Sequence, residues 1–487
     1  MFRISKRVIC AMLGVVALQQ ASAFSVFGPA EPFQTPTLDY ITRYYYGNDS
    51  EIGGSKNFGE GSRLNVPILT YGFDPTFLNY FGSKGVAAVD SAMAVLNRLP
   101  AASKANLASF VTQGNQVNNY TAGAMSLTDI KSTVLSLMLE HMGLIGESHV
   151  WDLRNRVPEP GGTCLFEYSV INRNYDPVTY NPTAYVNGVQ YYYSIWDGCS
   201  NGISVADAIE NTVDQASPAE TAFTAVATRY GYQPGGFYLG ITRDDMGGLK
   251  YLYRHNNYAY EGLDSNSIAL GNTSAYSPVN PFGGFGATNG FQGILGGVEK
   301  ITYVKVGYDS LIGTAFTPKT YTYTIPFVTN NALKTLRVSR TIFQPDILFA
   351  AGDLVGPATT FPLTYSESTR GFNFLSNGVV SLGANTVQPA VIGAQEIITF
   401  NNVTPVYINI SPYFLDQTQF AAYPILIWGS FDGTTNAPVV FPSGTSIAGL
   451  EQQVLEGGPS IPIGLYNPVS FNTNTTTTTT GTGGIVP

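Results

Sequence analysis

The amino-acid sequence predicts an α+β domain followed by a mainly β, sandwich-like domain. In the first half of the chain, apolar residues recur three and four positions apart, which is typical of amphipathic helices. In the second half they alternate with polar residues, as in half-buried strands, and Asn-Gly pairs mark tight hairpins. We place the α+β domain at residues 63–262 and the β-rich domain at residues 297–470.

Residues 1–23 have the pattern of a cleavable secretory signal peptide. Three basic side chains between positions 3 and 7 precede an apolar run over 8–18, which is too short to span a bilayer. Small residues at 21–23 then predict cleavage between Ala23 and Phe24. The alternative is an N-terminal membrane anchor, but two glutamines interrupt the apolar run, and no later segment is long and apolar enough to span a bilayer.

The next elements follow from local patterns. Residues 24–62 are rich in Gly, Pro and Tyr and show no period, so we expect an extended N-terminal arm. Residues 64–73 predict a strand. A helix is predicted to begin near Ser83, a favourable N-cap residue, and to end before Pro100.

Two more helices and a hairpin complete the predicted α+β domain. One helix starts near Thr128-Asp129 and ends at the glycines between 143 and 146. Asn187-Gly188 lies between two β-prone runs, which predicts a hairpin with a two-residue turn. The last helix opens at Thr242, another favourable N-cap residue.

The second half of the chain reads as short strands between turns. Residues 263–296 are rich in Gly and Asn and predict a linker, while the Thr-rich residues 471–487 predict a disordered tail. Asn377-Gly378 predicts a second hairpin. Further strands are expected at 298–306, 320–325, 406–410 and 423–428.

Composition limits the expected partners. The chain has 24 basic and 33 acidic residues, and removal of three basic ones with the signal gives 21 − 33 = −12. No basic stripe is present, so we expect no nucleic-acid partner. Charged residues make up 12% of the chain, against about 25% in average proteins, and aromatic residues 13%. Such a surface favours contact with copies of the same protein or with surface polymers.

The cysteine count predicts one disulfide. Cys10 would leave with the signal peptide, and Cys164 and Cys199 would remain as an even pair in an oxidising compartment. Two buried free thiols are the alternative.

Motifs for catalysis are absent from the sequence. His141, Glu147 and His149 fall within nine residues, but a zinc helix of the zincin type needs two histidines four positions apart. His141 also lies on an apolar helix face, where a core histidine is expected. No nucleophile elbow or phosphate-binding loop occurs, so we expect no catalytic residue, no bound metal and no cofactor.

One segment suggests a family. Residues 242–253 resemble the T-x-D-D-I-x-G-I-x-x-L-Y segment of matrixin-type metzincins, where it forms the last helix of the catalytic domain. The resemblance extends over residues 63–254 and implies a zinc-peptidase scaffold. The family's H-E-x-x-H-x-x-G-x-x-H motif is missing, however, so the resemblance implies a scaffold without its zinc site. The positions that would align with the motif's His, Glu, His and His hold Ser136, Leu137, Glu140 and Gly146.

The sequence also resembles uncharacterised secreted bacterial proteins in stretches such as residues 129–144 and 339–354. We therefore expect a secreted, non-catalytic structural or assembly protein, extracellular or on the cell surface. Two alternatives stay open. One is a secreted hydrolase, either metallopeptidase-like or acting on glycans. The other is a carbohydrate- or ligand-binding protein, for which Trp428 and Tyr423 would supply a stacking face unless both belong to a strand core.

Overall fold

The structure is a computed structural model, and every structural statement below concerns the residues that it describes. These are 23–29, 53–55, 63–64, 66–112, 115–145, 151–161, 163–201, 206–214, 234–261, 268–270, 293–307, 317–329, 332–342, 344–351, 354, 379–382, 390–392, 396–400, 406–408, 427–442 and 444–445. Predictions for residues 1–22, for Asn377-Gly378 and for the tail at 471–487 lie outside them.

The described residues have mixed α/β content, with few helices and several small sheets. The α-helices are α1 (Pro75–Asn97), α2 (Tyr120–Ala124), α3 (Ile130–His141) and α4 (Arg243–Tyr253). Short 3₁₀ turns lie at Ala102–Lys104, Leu107–Ser109 and Cys199–Asn201.

The strands are numbered in chain order. Those before residue 215 are β1 (Ser25–Pro29), β2 (Gly53–Ser55), β3 (Ile68–Phe73), β4 (Gln116–Asn118), β5 (Leu127–Asp129), β6 (Leu144–Ile145), β7 (Trp151–Pro158), β8 (Phe166–Asn172), β9 (Tyr185–Val186), β10 (Val189–Asp197) and β11 (Ala206–Thr212). The later ones are β12 (Gly236–Tyr238), β13 (Ala259–Glu261), β14 (Ile268–Leu270), β15 (Gly293–Leu295), β16 (Thr302–Lys305), β17 (Lys319–Thr329), β18 (Ala332–Ile342), β19 (Ile347–Ala350), β20 (Val379–Leu382), β21 (Ala390–Ile392), β22 (Glu396–Thr399), β23 (Val406–Ile408), β24 (Ile427–Ser430) and β25 (Val439–Val440).

Helix α1 begins earlier than its sequence pattern predicted. Asp74 caps it by accepting a hydrogen bond from the backbone N–H of Phe77, and Pro75 occupies the first turn. Gly82 interrupts the helix with φ of 56°, a left-handed conformation that glycine adopts without strain. The predicted start at Ser83 therefore coincides with the second part of a kinked helix.

The other two predicted helices begin at the residues that their cap signals indicated. Asp129 caps α3 through Ser132, and Thr242 forms a reciprocal capping box with Asp245 at the start of α4. The Asn187-Gly188 turn is also confirmed, because both residues have positive φ and Val186 pairs with Val189.

A five-stranded sheet joins both halves of the chain. Its order is β16-β3-β19-β22-β23, and all neighbours run parallel except β22 and β23. Strand β3 lies before the predicted linker and β16 lies after it, so the two predicted domains share this sheet. Strands β14 and β15 also occur inside the predicted linker. A second five-stranded sheet, β13-β15-β17-β18-β20, is antiparallel.

Aromatic rings fill the space between α1 and the mixed sheet. The ring of Phe77 in α1 lies 4.9 Å from that of Phe73 in β3 and 4.7 Å from that of Phe81, measured between centroids, and is tilted against both. Phe81 in turn contacts Phe400, which follows β22. Rings of this size bury the most apolar area per residue, so this cluster holds α1 against the sheet.

The opposite face of β3 carries a buried ion pair. Arg340 and Asp346 are fully and almost fully buried, and the guanidinium donates two hydrogen bonds to the carboxylate at 2.6 and 3.0 Å. Asp346 also accepts from the backbone N–H and hydroxyl of Thr70, while Arg340 donates to the carbonyl of Ile68. The pair thus binds β18 and the start of β19 to β3.

The N-terminal arm is anchored by its first residues. Phe24 is buried and exchanges two backbone hydrogen bonds with Tyr175. Strand β1 then pairs with β2 and β6. A side chain at Gly248 of α4 would press on Leu144 and Phe24, so glycine favours this close packing.

Among the described helices, none combines the length and the hydrophobicity that crossing a membrane requires.

We expect Asp346→Ala to lower the free energy of unfolding by about 3–5 kcal/mol, because it leaves the Arg340 charge buried without compensation. Lys305→Ala is the control, since Lys305 and Asp90 form an exposed ion pair that contributes about 0–1 kcal/mol. Urea unfolding monitored by circular dichroism measures both. A loss below about 1 kcal/mol for Asp346→Ala would show that the buried pair is not needed for stability.

Candidate functional site

The described residues between 151 and 213 form a lobe of two packed β layers, called here the ribbon lobe. One layer is the β7–β8 pair, and the other is the β9–β10–β11 sheet. Leu153, Ala206 and Ala208 are buried between them. Trp151 of β7 also stacks on Tyr193 of β10, with ring centroids 5.0 Å apart.

A disulfide-bonded cysteine pair closes one end of the ribbon lobe, as the sequence predicted. Cys164 precedes β8 and Cys199 follows β10, and their Cα atoms are 5.4 Å apart. This Cα separation is within the range that disulfide geometry allows. The bond therefore joins the two layers, which have no strand in common.

A saturated carboxylate lies beside the disulfide. Asp197 accepts two hydrogen bonds from Arg156, one from the Tyr168 hydroxyl and one from the backbone N–H of Cys199, all between 2.5 and 2.8 Å. Burial acts to raise the pKa of Asp197, but the bonds from Arg156, Tyr168 and Cys199 outweigh it and lower the pKa. All four acceptor positions are used, so this carboxylate holds the layers together and is not placed to take a proton from a substrate.

The outer face of the β10–β11 ribbon is solvent-exposed. Strand alternation turns Tyr192, Ser194 and Trp196 outward, because Ile195 and Asp197 contact the inner layer. Across the ribbon, Tyr192 pairs with Asn211, Ser194 with Ile209 and the half-buried Trp196 with Asp207. Tyr192 is 46% exposed, Ile209 40% and Val213 52%, which is high for large apolar side chains.

Other buried or clustered acids are also bound structurally. Glu299 accepts from the N–H and hydroxyl of Ser103 and from the N–H and ring Nδ1 of His255. Burial acts to raise the Glu299 pKa, but these hydrogen bonds outweigh it and lower the pKa. A serine, a histidine and a glutamate thus meet, but the serine hydroxyl contacts the glutamate, so no nucleophile–base pair forms.

Asp129 is a buried acid whose carboxylate caps α3. Its carboxylate accepts from the N–H and hydroxyl of Ser132 and, at 3.4 Å, from the N–H of Phe431. Burial raises its pKa to about 6, against the lowering effects of Ser132, Phe431 and the charge of Lys131. Asp129 joins β5 and α3 to the residue that follows β24.

The described residues do not bring together the candidate metal ligands that the sequence offered. His141 is buried at the end of α3, and Glu147 and His149 lie outside the described residues. Ser136 and Leu137, at the positions of the motif's first histidine and its glutamate, are buried in α3. Serine and leucine are not zinc ligands, and within the described part of the chain no three His, Cys, Asp or Glu side chains are grouped for metal binding.

Trp428 is too deeply buried to form the stacking face considered for a carbohydrate. Trp428 is fully buried, and its ring lies 5.1 Å from that of Phe400 in an edge contact. It is therefore part of the core and offers no surface to a ligand, as the core alternative predicted. Tyr423 lies outside the described residues.

Comparison with protein-family models, with curated protein sequences and with solved structures finds no match to this chain.

The sequence reasoning missed the outer face of the ribbon. Its signal was present in residues 191–197, where large aromatic side chains occupy both faces of a strand. An alternation that is apolar on both faces indicates either burial on both sides or an exposed binding face.

We expect Cys164→Ser with Cys199→Ser to loosen the ribbon lobe selectively. With the two cysteines 35 positions apart, chain entropy predicts a loss of about 3–4 kcal/mol in the free energy of opening the lobe. Hydrogen exchange should therefore accelerate in β7–β11 and stay unchanged in α1. Equal acceleration in both regions would contradict a local role.

We expect Asp129→Asn to remove part of the pH dependence of stability. A pKa of about 6 in the folded state, against about 4 unfolded, favours folding when Asp129 is protonated, so its stabilising effect is lost as pH rises from 4 through 6. Asparagine keeps the cap without the charge. Relative to wild type, the variant should gain about 2 kcal/mol between pH 4 and pH 7.

Thermal and urea unfolding at pH 4, 5, 6 and 7 measures this gain. Asp74→Asn, an exchange at the more exposed cap of α1, serves as the control and should give a much smaller change with pH. A constant difference between Asp129→Asn and wild type at every pH would contradict the expected linkage.

Proposed function

We propose that this protein is a secreted, non-catalytic structural or assembly protein that acts outside the cell or on its surface. The observation that carries the proposal is the ribbon lobe, a β structure with a cysteine bridge and an exposed apolar outer face. Disulfides persist in oxidising compartments, which supports export. Exposed Tyr192, Ile209 and Val213 support contact with a partner.

The state of the acidic side chains supports a structural role. Asp197, Asp346 and Glu299 each accept four hydrogen bonds from protein groups. A catalytic acid or base needs a free position toward its substrate. These groups stabilise the fold instead.

We also propose that the α+β part is a metzincin-type scaffold without a zinc site. The capping box of α4, formed by Thr242 and Asp245, agrees with the segment on which the resemblance rests. Strand β3 followed by α1 agrees with the opening of that fold. Because Ser136, Glu140 and Gly146 stand where the family has its three histidine ligands, and Leu137 stands where it has its glutamate, peptidase activity is not part of the proposal. The sandwich-like arrangement of the β-rich part remains a proposal as well.

We expect the protein to be found in the medium of producing cells with Phe24 as its first residue and with oxidised cysteines. Leu13→Asp, which breaks the apolar run of the predicted signal, should retain it inside the cells with residues 1–23 attached. Mass spectrometry of intact protein from both fractions, with and without reduction, measures the outcome. Wild-type protein that stays in the cytoplasm with residues 1–23 and free thiols would refute the proposed function.

A further inference from the structure

Residues 24–29, called here the arm tip, would begin the chain once the predicted signal peptide is removed. Strand β1 of the arm tip pairs antiparallel with β2 and with β6, where Val26 lies opposite Leu144. Phe24 adds two backbone hydrogen bonds with Tyr175. Main-chain pairing thus joins the arm tip to segments from distant parts of the chain.

Phe24 is the side-chain anchor of the arm tip. It is 3% exposed, and its ring centroid lies 5.8 Å from that of Tyr251 in α4. At Gly247 and Gly248 of α4, a Cβ atom would lie only 3.6 and 3.1 Å from the Phe24 ring. The missing side chains leave a groove on α4, and burial of a ring in this groove is a large apolar gain.

The connection between the arm tip and the body is long. Arg63, on the body side, donates to the carbonyls of Leu252 and Asn257 at the end of α4. Residues 25–62 lie between this anchor and Phe24. Fully extended, a segment of that length reaches about 130 Å, against a diameter of about 60 Å for a compact chain of this size. Its length therefore suffices to reach an adjacent molecule.

We propose that the arm tip joins copies of this protein by docking in the groove of a second copy. The inference rests on the proposed function, because the arm tip can enter a neighbour without threading only after signal removal has made Phe24 the end of the chain. Added strands of this kind bind through main-chain hydrogen bonds, and an anchored side chain sets their position. Every contact would be the same on a neighbour as on the arm's own copy, so exchange sacrifices no interaction.

The order of synthesis favours a neighbour as the host. The arm tip is made first, but its groove needs β6, Tyr175 and α4, which is complete only at Tyr253. Pairing with a distant part of the same chain is slow. A copy that is already folded offers the whole groove at once.

The arm tip is also suited to contact between molecules of like charge. Its sequence, Phe-Ser-Val-Phe-Gly-Pro, contains no charged side chain, in a chain whose net charge is −9. Leu144, Tyr251 and the two glycines that Phe24 meets are uncharged as well. The strand can therefore approach a negative neighbour without repulsion between its own side chains and that neighbour.

The test uses two differently tagged copies of the full-length protein that are secreted by the same cells. One carries Val26→Cys and the other Leu144→Cys, at positions that face each other across β1 and β6. Facing residues of antiparallel strands have Cα atoms about 4.5–5.5 Å apart, which a disulfide can span. Each copy carries one of the two new cysteines, so this bridge forms only when the arm tip of one copy lies in the groove of the other.

We expect a covalent heterodimer that one tag retains, the other tag detects and reduction removes. Tyr120→Cys in place of Leu144→Cys is the matched control, since Tyr120 is exposed and lies outside the groove. This exchange should abolish the heterodimer. Circular dichroism of each copy checks folding, and the adjacent facing pair, Ser25→Cys with Ile145→Cys, replaces a pair that does not fold.

A single copy with both Val26→Cys and Leu144→Cys separates the two hosts. If it forms an internal bridge while the mixed copies give no heterodimer, the arm tip stays on its own copy and the inference is overturned. Absence of both bridges would overturn it too, as would equal heterodimer with Tyr120→Cys, which would report collision alone. Secretion of oxidised protein without heterodimer leaves the proposed function standing, whereas retention in the cytoplasm with residues 1–23 attached would refute the proposed function itself.

Discussion

The mixed sheet depends on one buried ion pair. Arg340 and Asp346 lie where β3 and β19 run side by side, and together they satisfy Thr70 and the carbonyl of Ile68 on β3. A buried charge tolerates only a partner in the correct position, so this pair fixes how the later strand aligns with the earlier one. With β19 in place, Phe349 on its other face meets the aromatic rings under α1.

The buried and half-buried acidic side chains share one structural role. Acidic side chains that would suggest catalysis in a sequence scan are used to join segments distant in the chain. Glu299 joins the turn after α1 to the end of α4, and Asp197 joins the two layers of the ribbon lobe. In the described part of the ribbon lobe, Tyr192, Ile209 and Val213 stay exposed. The proposed role of the protein as binding material follows from this division.

Local signals were readable from the sequence, and distant ones were not. The caps at Asp129 and Thr242 act within three or four residues, so residue type and spacing sufficed. The pairing of β3 with β16 joins residues 68 and 302, and a strand pattern does not name its partner. The outward side of Tyr192 depends on which strand face is covered, which periodicity cannot decide when both faces are aromatic. Periodicity likewise could not decide whether Trp428 faces solvent or the core, and the structure shows that it is buried in the core.

The order of the mixed sheet has a consequence for how the chain acquires its structure. Strand β3 emerges early in synthesis, but its neighbours β16 and β19 follow more than 230 residues later. Throughout that interval its hydrogen-bonding edges and the rings of α1 have no native cover. Such distant pairing makes folding slow and exposes the chain to aggregation. A cell that makes this protein must therefore keep the first third of it from misassociating until the last third has been delivered.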